Sequence, residues 1–329
     1  MKKYQVVGIG NAIVDVLSQT DDSFLDLMGI EKGIMQLTTR ERGETLYAAM
    51  QERQQEPGGS VGNTLAGLGN LGLSTAFIGR VKDDALGRFY AASLAGEGTD
   101  FPNPPIPNVE LPTSRSMIFV TPDGERSMNT YLGAGADLGT EDVSLEVVEN
   151  TEWLFLEGYL FDKDHGKAAF LKAAQGCHRG GGRAGISLSD PFCVDRHRDD
   201  FLDLILNDID VLFCNEFELQ SLYQTSYEEA LEQLRSDCEF GAVTRDKRGS
   251  VVINGHDLVH IEPEPVDRVV DATGAGDQYA AGFLYGFTRG MAIEHCGRLG
   301  SMSASEVITH VGPRPLVQLS TLIPEHLRS

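Results

Sequence analysis

The sequence predicts an α/β fold: a three-layer α/β/α domain with a mostly parallel central sheet, plus a small β-rich lid. Three observations predict it. From residue 140 onward, short apolar runs alternate with helix-length segments, the rhythm of a parallel sheet covered on both faces. A glycine-rich turn at 271–277 stands between a strand end, Val269-Val270, and a helix of small residues. The early extended segments, roughly 13–55 and 108–132, lie outside that rhythm and are spare material for a lid.

The elements follow in order. Val6-Val7-Gly8-Ile9 reads as a buried strand, and Ile13 to Leu17 as a second. Thr39 to Gln54 is helical in pattern and polar on one side. Ser60 to Leu71 and Asp84 to Ala95 are helices separated by a strand, Ser74 to Val81. Arg115 to Val120 and Arg126 to Leu132 alternate apolar and polar residues around Pro122-Asp123-Gly124, the turn chemistry of a β-hairpin. Strands then come at Trp153–Leu156, Ala184–Leu188, Val211–Cys214 and Phe240–Thr244. Helices at Gly166–Cys177, Asp199–Leu206, Glu216–Leu222 and Ser226–Arg235 separate them. Two more, Ala275–Thr288 and Ile293–Ile308, close the chain. With no repeat and no Pro/Ser-rich linker, residues 1–329 read as one domain.

Composition narrows the function. A formal net charge of -22 argues against nucleic acid, whose phosphates need basic patches. It also means that any polyphosphate must be held by local donors. Five widely spaced cysteines without a C-x-x-C pair fit reduced thiols in a cytoplasm. No apolar run is long enough for a signal h-region or a membrane span, so a cytoplasmic protein with no membrane partner is expected.

The run Asp271-Ala272-Thr273-Gly274-Ala275-Gly276-Asp277 carries the strongest chemical signal. Strand end, small-residue turn and helix start gather backbone N–H groups around one point, which suits a phosphate or a developing oxyanion. Gly274 and Gly276 leave room for close approach. Asp277 falls in the first helical turn, where a carboxylate is stabilised as the anion, so a base of low pKa is expected there. Gly58-Gly59 would let backbone approach a polyol, and Asn63 offers both donor and acceptor. Asn215 and Glu218 follow the strand Val211–Cys214 and face the crevice where open α/β sheets bind ligands. The same pair also reads as a helix N-cap. There is no G-x-x-x-x-G-K-[ST] loop, no protein-kinase motif set and no zinc-ligand spacing among the eight histidines.

Taken together, these runs resemble the ribokinase-like (PfkB) carbohydrate and nucleoside kinases over nearly the whole chain. The likeness is closest to the adenosine kinase branch, through Gly10-Asn11-Ala12-Ile13-Val14-Asp15, Asp123-Gly124-Glu125-Arg126, Leu188-Ser189-Asp190-Pro191-Phe192 and Gly312-Pro313-Arg314-Pro315. The family pattern D-T-x-G-A-G-D is altered here, as if Ala272 and Thr273 had exchanged places. The resemblance implies Asp277 as catalytic base, with the amides of Gly274, Ala275 and Gly276 as anion hole and Arg126 swinging over the transferring phosphoryl group. It assigns Asn11, Asp15, Gly58, Gly59 and Asn63 to sugar or ribose hydroxyls, and Tyr159 and Phe192 to a base, with Ile13, Met35 and Met128 completing an apolar slot. Asn215 and Glu218 would orient the waters of Mg²⁺, and Thr244 would contact ATP. Where the family has glycine two positions after that threonine, this chain has Asp246. The likeness also admits a K⁺ ion beside the turn, and either a monomer or a homodimer. The activity it implies is MgATP-dependent phosphorylation of a nucleoside, adenosine first, with ribose, fructose or a keto-sugar as the alternative acceptor. A non-catalytic nucleoside or sugar sensor on the same fold is the rival from another class, and it would have no need of Asp277 as a base.

Overall fold

A computed structural model describes residues 2–327 of the chain. The main sheet has nine strands. From one edge they run β14 (Asp257–Ile261), β13 (Ser250–Asn254), β12 (Phe240–Thr244), β11 (Val211–Asn215) and β10 (Arg183–Ser187). The row continues through β9 (Thr151–Glu157), β1 (Tyr4–Ile9), β5 (Thr75–Ile78) and β6 (Thr99–Asp100). Neighbours from β12 to β6 pair in parallel, while β12–β13 and β13–β14 are antiparallel. A mostly parallel sheet needs cover on both faces, so its inner strands are largely apolar and buried.

Period-two alternation sorts those strands into two cores. Val6, Phe77, Trp153, Phe155 and Phe213 pack on one face, against the helices Ser60–Asn70, Ala275–Thr288 and Ile293–Val307. Val7, Ile9, Leu154, Leu156, Ile186 and Leu212 pack on the other, against Asp164–Arg179, Pro191–Asn207 and Tyr227–Asp237.

A second sheet of five strands runs β3 (Met35–Leu37), β8 (Arg126–Tyr131), β7 (Ser114–Val120), β2 (Ile13–Gln19) and β4 (Gln54–Pro57). Val14 and Val16 on β2, with Met117 and Phe119 on β7, pack under the helices Asp22–Met28 and Arg40–Ala49 through Leu25 and Leu46. The opposite face carries the alternate residues Ile13 and Asp15, Met35 and Leu37, and Met128 and Thr130, and it looks into a cleft.

Three departures from expectation have local causes. The helix expected over Thr39–Gln54 stops at Ala49, because Gln54–Pro57 leaves to pair antiparallel with β2. A helix at Asp22–Met28 lies within the segment expected to be extended; Asp21 caps it by accepting from the Phe24 amide, and Gly29 ends it at φ 59°. The edge hairpin β13–β14 turns through the two-residue loop Gly255-His256, with Gly255 at φ 59° in the first central position, where such loops favour glycine.

The helices Ala275–Thr288 and Ile293–Val307 pack so closely that a Cβ on Gly282 would lie 2.1 Å from the Leu299 carbonyl oxygen. Gly282→Ala should therefore destabilise the fold by about 1–3 kcal/mol despite the better helix propensity of alanine. Urea unfolding checks this; an unchanged or raised midpoint would show that the two helices are free to separate.

Candidate active site

Strands β1, β9, β10, β11 and β12 end at the same edge of the sheet, where open α/β sheets form their ligand crevice. They deliver Asn11, Glu157, Ser189, Asn215 and Thr244 in turn. Two helices, Ser60–Asn70 and Ala275–Thr288, begin over the same edge, each after a glycine at positive φ. Gly59, at φ 87°, has no room for a side chain, since a Cβ would lie 2.3 Å from the Asn11 carbonyl oxygen. Gly274, at φ 80°, is pressed against Pro313 in the same way.

Asp277 stands between the two helix starts. Its Oδ1 accepts from the Ser60 hydroxyl at 2.6 Å, and its Oδ2 from Asn63 Nδ2 at 3.0 Å. The low pKa expected from helix position alone is not what the surroundings produce. Burial pushes the carboxyl up to about 6, against the opposing pull of Ser60, Asn63 and the Arg314 charge.

Asp271 shapes the turn. Its Oδ1 accepts from the Thr273 amide and hydroxyl at 3.0 and 2.7 Å, and its Oδ2 from the Gly312 amide at 2.9 Å. The exchanged Thr273 thus closes the turn through its own hydroxyl. Arg126, at the start of β8, brings Nη2 within 2.6 Å of Asp271 Oδ2, with both side chains largely buried. The contact is ionic rather than an aligned hydrogen bond, because Nη2 has no partner in line with its N–H groups. Burial raises the Asp271 pKa, but hydrogen bonds from Gly312 and Thr273, with the Arg126 charge, hold it below the usual carboxylate value.

Three cavities meet here in a row. The first, about 460 Å³, is lined by Asn11, Ile13, Asp15, Met35, Leu37, Gly59, Met128, Leu132, Glu157, Tyr159, Phe192 and Arg196, and ends at Asp277. The middle one, about 230 Å³, is walled by Ser60, Ser189, Asn215, Glu218, Thr244, Gly274, Ala275, Gly276 and again Asp277. The third, about 370 Å³, continues past Thr244 and Gly276 between Pro263–Val266 and Ala304–Ile308. A shallow groove of about 540 Å³ on the far side of the second sheet touches none of these residues. Its only carboxylate, Asp21, is spent on a helix cap.

Several expected residues lie one layer back from the walls. Gly58 makes room for Asp15, since a Cβ there would lie 2.4 Å from Asp15 Oδ2. Asn63 is buried and faces Asp277 rather than the first cavity. Asn215 and Glu218 form the capping box their spacing allows: Asn215 Oδ1 accepts from the amides of Phe217 and Glu218, and Glu218 accepts from Asn215 N and Nδ2. Glu218 still reaches the middle cavity, and burial raises its pKa to about 7. Thr244 lines both the middle and third cavities. Asp246 keeps the loop after it by taking φ 51°, a conformation that aspartate tolerates better than most residues. Phe192 is 76 % exposed, on the rim of the first cavity. Tyr159 donates from its hydroxyl to the Ser189 carbonyl at 3.3 Å.

Glu157 escaped the sequence reading, although a carboxylate directly after the apolar run Trp153–Leu156 was its signal. Its Oε1 accepts from Asn11 N and Nδ2 at 3.2 and 2.7 Å, and its Oε2 from the Val61 amide at 3.2 Å. Burial raises it to about 7, and burial likewise raises Asp15 to about 7. Ser60, Ser189 and Arg314 were likewise missed as site residues; their role shows only in three dimensions.

Residues 26–319 match the pfkB family of carbohydrate kinases. The chain belongs to this family. The pfkB chain is 46% identical to the adenosine kinase of Sinorhizobium meliloti; that structure superposes with a TM-score of 0.90, covering 97% of this chain and 98% of that one. A probable sugar kinase of Rhizobium etli is 44% identical, with a TM-score of 0.91 and 98% of both chains covered. An uncharacterized sugar kinase of Archaeoglobus fulgidus is 29% identical over 255 residues, 75% of this chain and 96% of the relative. The protein is thus an ATP-dependent kinase acting on a sugar or nucleoside hydroxyl, and the family implies ATP and usually Mg²⁺. Among the described residues, no helix is long and apolar enough to cross a membrane.

The site has a measurable pH signature. Asp15 and Glu157 at about 7 and Asp277 at about 6 all lie above their ordinary values near 4. Between those values and 6–7 the folded protein holds protons that the unfolded chain has released, so stability falls as pH rises through that window. The Tm of the unliganded protein should therefore rise as pH is lowered from about 8 to about 5.5, and Glu157→Gln should flatten the rise. A Tm that climbs steadily toward pH 8 would contradict the burial of these groups.

Proposed function

We propose that this kinase transfers the γ-phosphoryl group of MgATP to the 5′-hydroxyl of a nucleoside, adenosine in the first instance. The observation that carries the proposal is the first cavity. One end is polar, with Asn11, Asp15 and Glu157, and suits ribose hydroxyls; a carboxylate can accept from both hydroxyls of a vicinal diol. The other end is apolar, with Ile13, Met35, Leu37, Met128 and Leu132, and carries Tyr159 and Phe192 at its side. A purine fills such a slot, with stacking worth about 1–3 kcal/mol. A free hexose would leave it empty or turn hydroxyls toward it without partners. The likeness to the Sinorhizobium meliloti adenosine kinase supports the same acceptor.

In this reading the adenine of ATP occupies the third cavity, its phosphates lie in the middle one, and the nucleoside lies in the first. Asp277 touches both of the last two, so the acceptor oxygen and the γ-phosphorus meet beside it. The oxygen attacks phosphorus, the bond to the β-phosphate oxygen breaks, and Asp277 accepts the hydroxyl proton. The Gly274–Gly276 amides, at the start of a helix, and Arg126 offset the migrating charge. No group of three or more His, Cys, Asp or Glu among the described residues could hold a resident metal. Glu218, backed by Asn215, would order the waters of a Mg²⁺ bound with ATP, and that ion would neutralise phosphate charge. The bare face of the second sheet closes over the nucleoside. A sugar kinase is the second reading, favoured by the two carboxylates Asp15 and Glu157 at one end of the cavity.

ADP release with adenosine, inosine, cytidine, ribose and fructose as acceptors tests both. Adenosine should give the highest kcat/KM, and Asp277→Asn should lower kcat by about 10²–10⁴. Turnover confined to free sugars would sink the nucleoside assignment, and full activity in Asp277→Asn would sink the mechanism.

A further inference from the structure

Behind Asp277 runs a chain of side chains that the reaction as described does not use. Glu97 caps the C-terminus of the helix Ala85–Gly96. Both of its carboxylate oxygens are in contact with Nη1 of Arg314, which lies in the loop after the last long helix. Arg314 is 16% exposed, and its Nε donates to Asn63 Oδ1 at 3.3 Å. Asn63 Nδ2 donates in turn to Asp277 Oδ2 at 3.0 Å. We propose that Arg314, clamped by Glu97, is a positioning residue for phosphoryl transfer: it sets which way the Asn63 amide faces, and through that amide it holds Asp277 toward the acceptor.

The chemistry of the donors fixes the direction. A guanidinium has only donors and a carboxylate only acceptors, whereas a primary amide has one side of each kind. With Arg314 behind it, the amide must turn its oxygen back and its N–H groups forward, onto Asp277. Without Arg314 the amide could flip and present oxygen to a carboxylate. The backbone supports this arrangement, because buried Gln278 donates from Nε2 to the carbonyls of both Asn63 and Pro313, at 2.9 and 3.0 Å. That ties the strut carrying Arg314 to the helix carrying Asn63.

The charges around Asp277 make the arrangement testable. Ser60 and Asn63 bond it, Arg314 draws its pKa down, and Asp15 and Glu157 across the first cavity repel a further negative charge. The inference rests on Asp277 being the base, so Asp277→Asn is measured alongside. Arg314→Met should lower kcat at least ~10-fold while both KM values stay within ~3-fold, the pattern of a lost transition-state interaction. It should also move the acid limb of the kcat profile upward by about half a pH unit or more, since a cation near a carboxylate is removed. Arg314→Lys should bring that limb back toward wild type. Glu97→Gln should move it downward, because the cation is no longer neutralised.

A purely structural role would not shift the limb in opposite directions. A kcat within ~2-fold of wild type in Arg314→Met, a loss confined to KM, or limbs that shift the same way in the Arg314→Met and Glu97→Gln variants would overturn the proposal. If Arg314→Met does not fold, Glu97→Gln decides alone, and an unmoved limb overturns it. Inactive Asp277→Asn with wild-type Arg314→Met would remove only the relay. Active Asp277→Asn would remove the base and the relay together.

Discussion

The hydrogen bonds from Ser60 and Asn63 to the Asp277 carboxylate join two helices that are 214 to 217 residues apart in sequence, and most of the site is arranged around that junction. Each helix starts there because a glycine turns the chain through positive φ just before it. The strands of the main sheet bring their C-terminal ends to the same place, and the first and middle cavities meet at this carboxylate. The second sheet is tied in separately, through Arg126 and the Asp271 that shapes the turn. A carboxylate held this way, partly open to a cavity and otherwise enclosed, is harder to ionise than one on a surface. A helix N-terminus offers about 0.3–1 kcal/mol to an exposed anion, and burial outweighs it here.

The same junction explains how an acidic protein can handle a polyphosphate. With a net charge of -22 there is no long-range attraction to offer. In the proposed reading the phosphates meet the backbone amides at 274–276, which line the middle cavity, while Arg126 from the second sheet lies beside the turn on Asp271. The carboxylates Asp15 and Glu157 line the first cavity instead, where the proposed reading places hydroxyls rather than phosphates.

Much of this was legible in the sequence, for definable reasons. The strands of the main sheet are apolar runs bounded by turn residues, and the glycine-rich turn carries its own helix start. The exchange of Ala272 and Thr273 alters the family pattern but leaves its glycines and final aspartate, and the Thr273 hydroxyl bonds Asp271 from its position. The β13–β14 hairpin, whose loop opens on Gly255, and the capped helix Asp22–Met28 had local signals that were passed over, because neither fits the strand–helix rhythm around it. What could not be read were partnerships across the fold. Asn63 and Gly58 look like polyol-facing residues until their neighbours, Asp277 and Asp15, are known. Glu157 becomes significant only when β1 and the helix at Ser60 are seen to bond it, and the pKa of Asp277 depends on enclosure by segments far apart in the chain.

In the proposed reaction one carboxylate receives the acceptor hydroxyl at the meeting point of two substrate cavities. The most direct measurement is a crystal structure with adenosine and a non-hydrolysable ATP analogue bound together. The 5′-oxygen should lie about 3 Å from Asp277, the ribose diol on Asp15, and the terminal phosphate over the Gly274–Gly276 amides. A ternary complex with the 5′-oxygen turned away from Asp277, or with the phosphates outside the middle cavity, would contradict it.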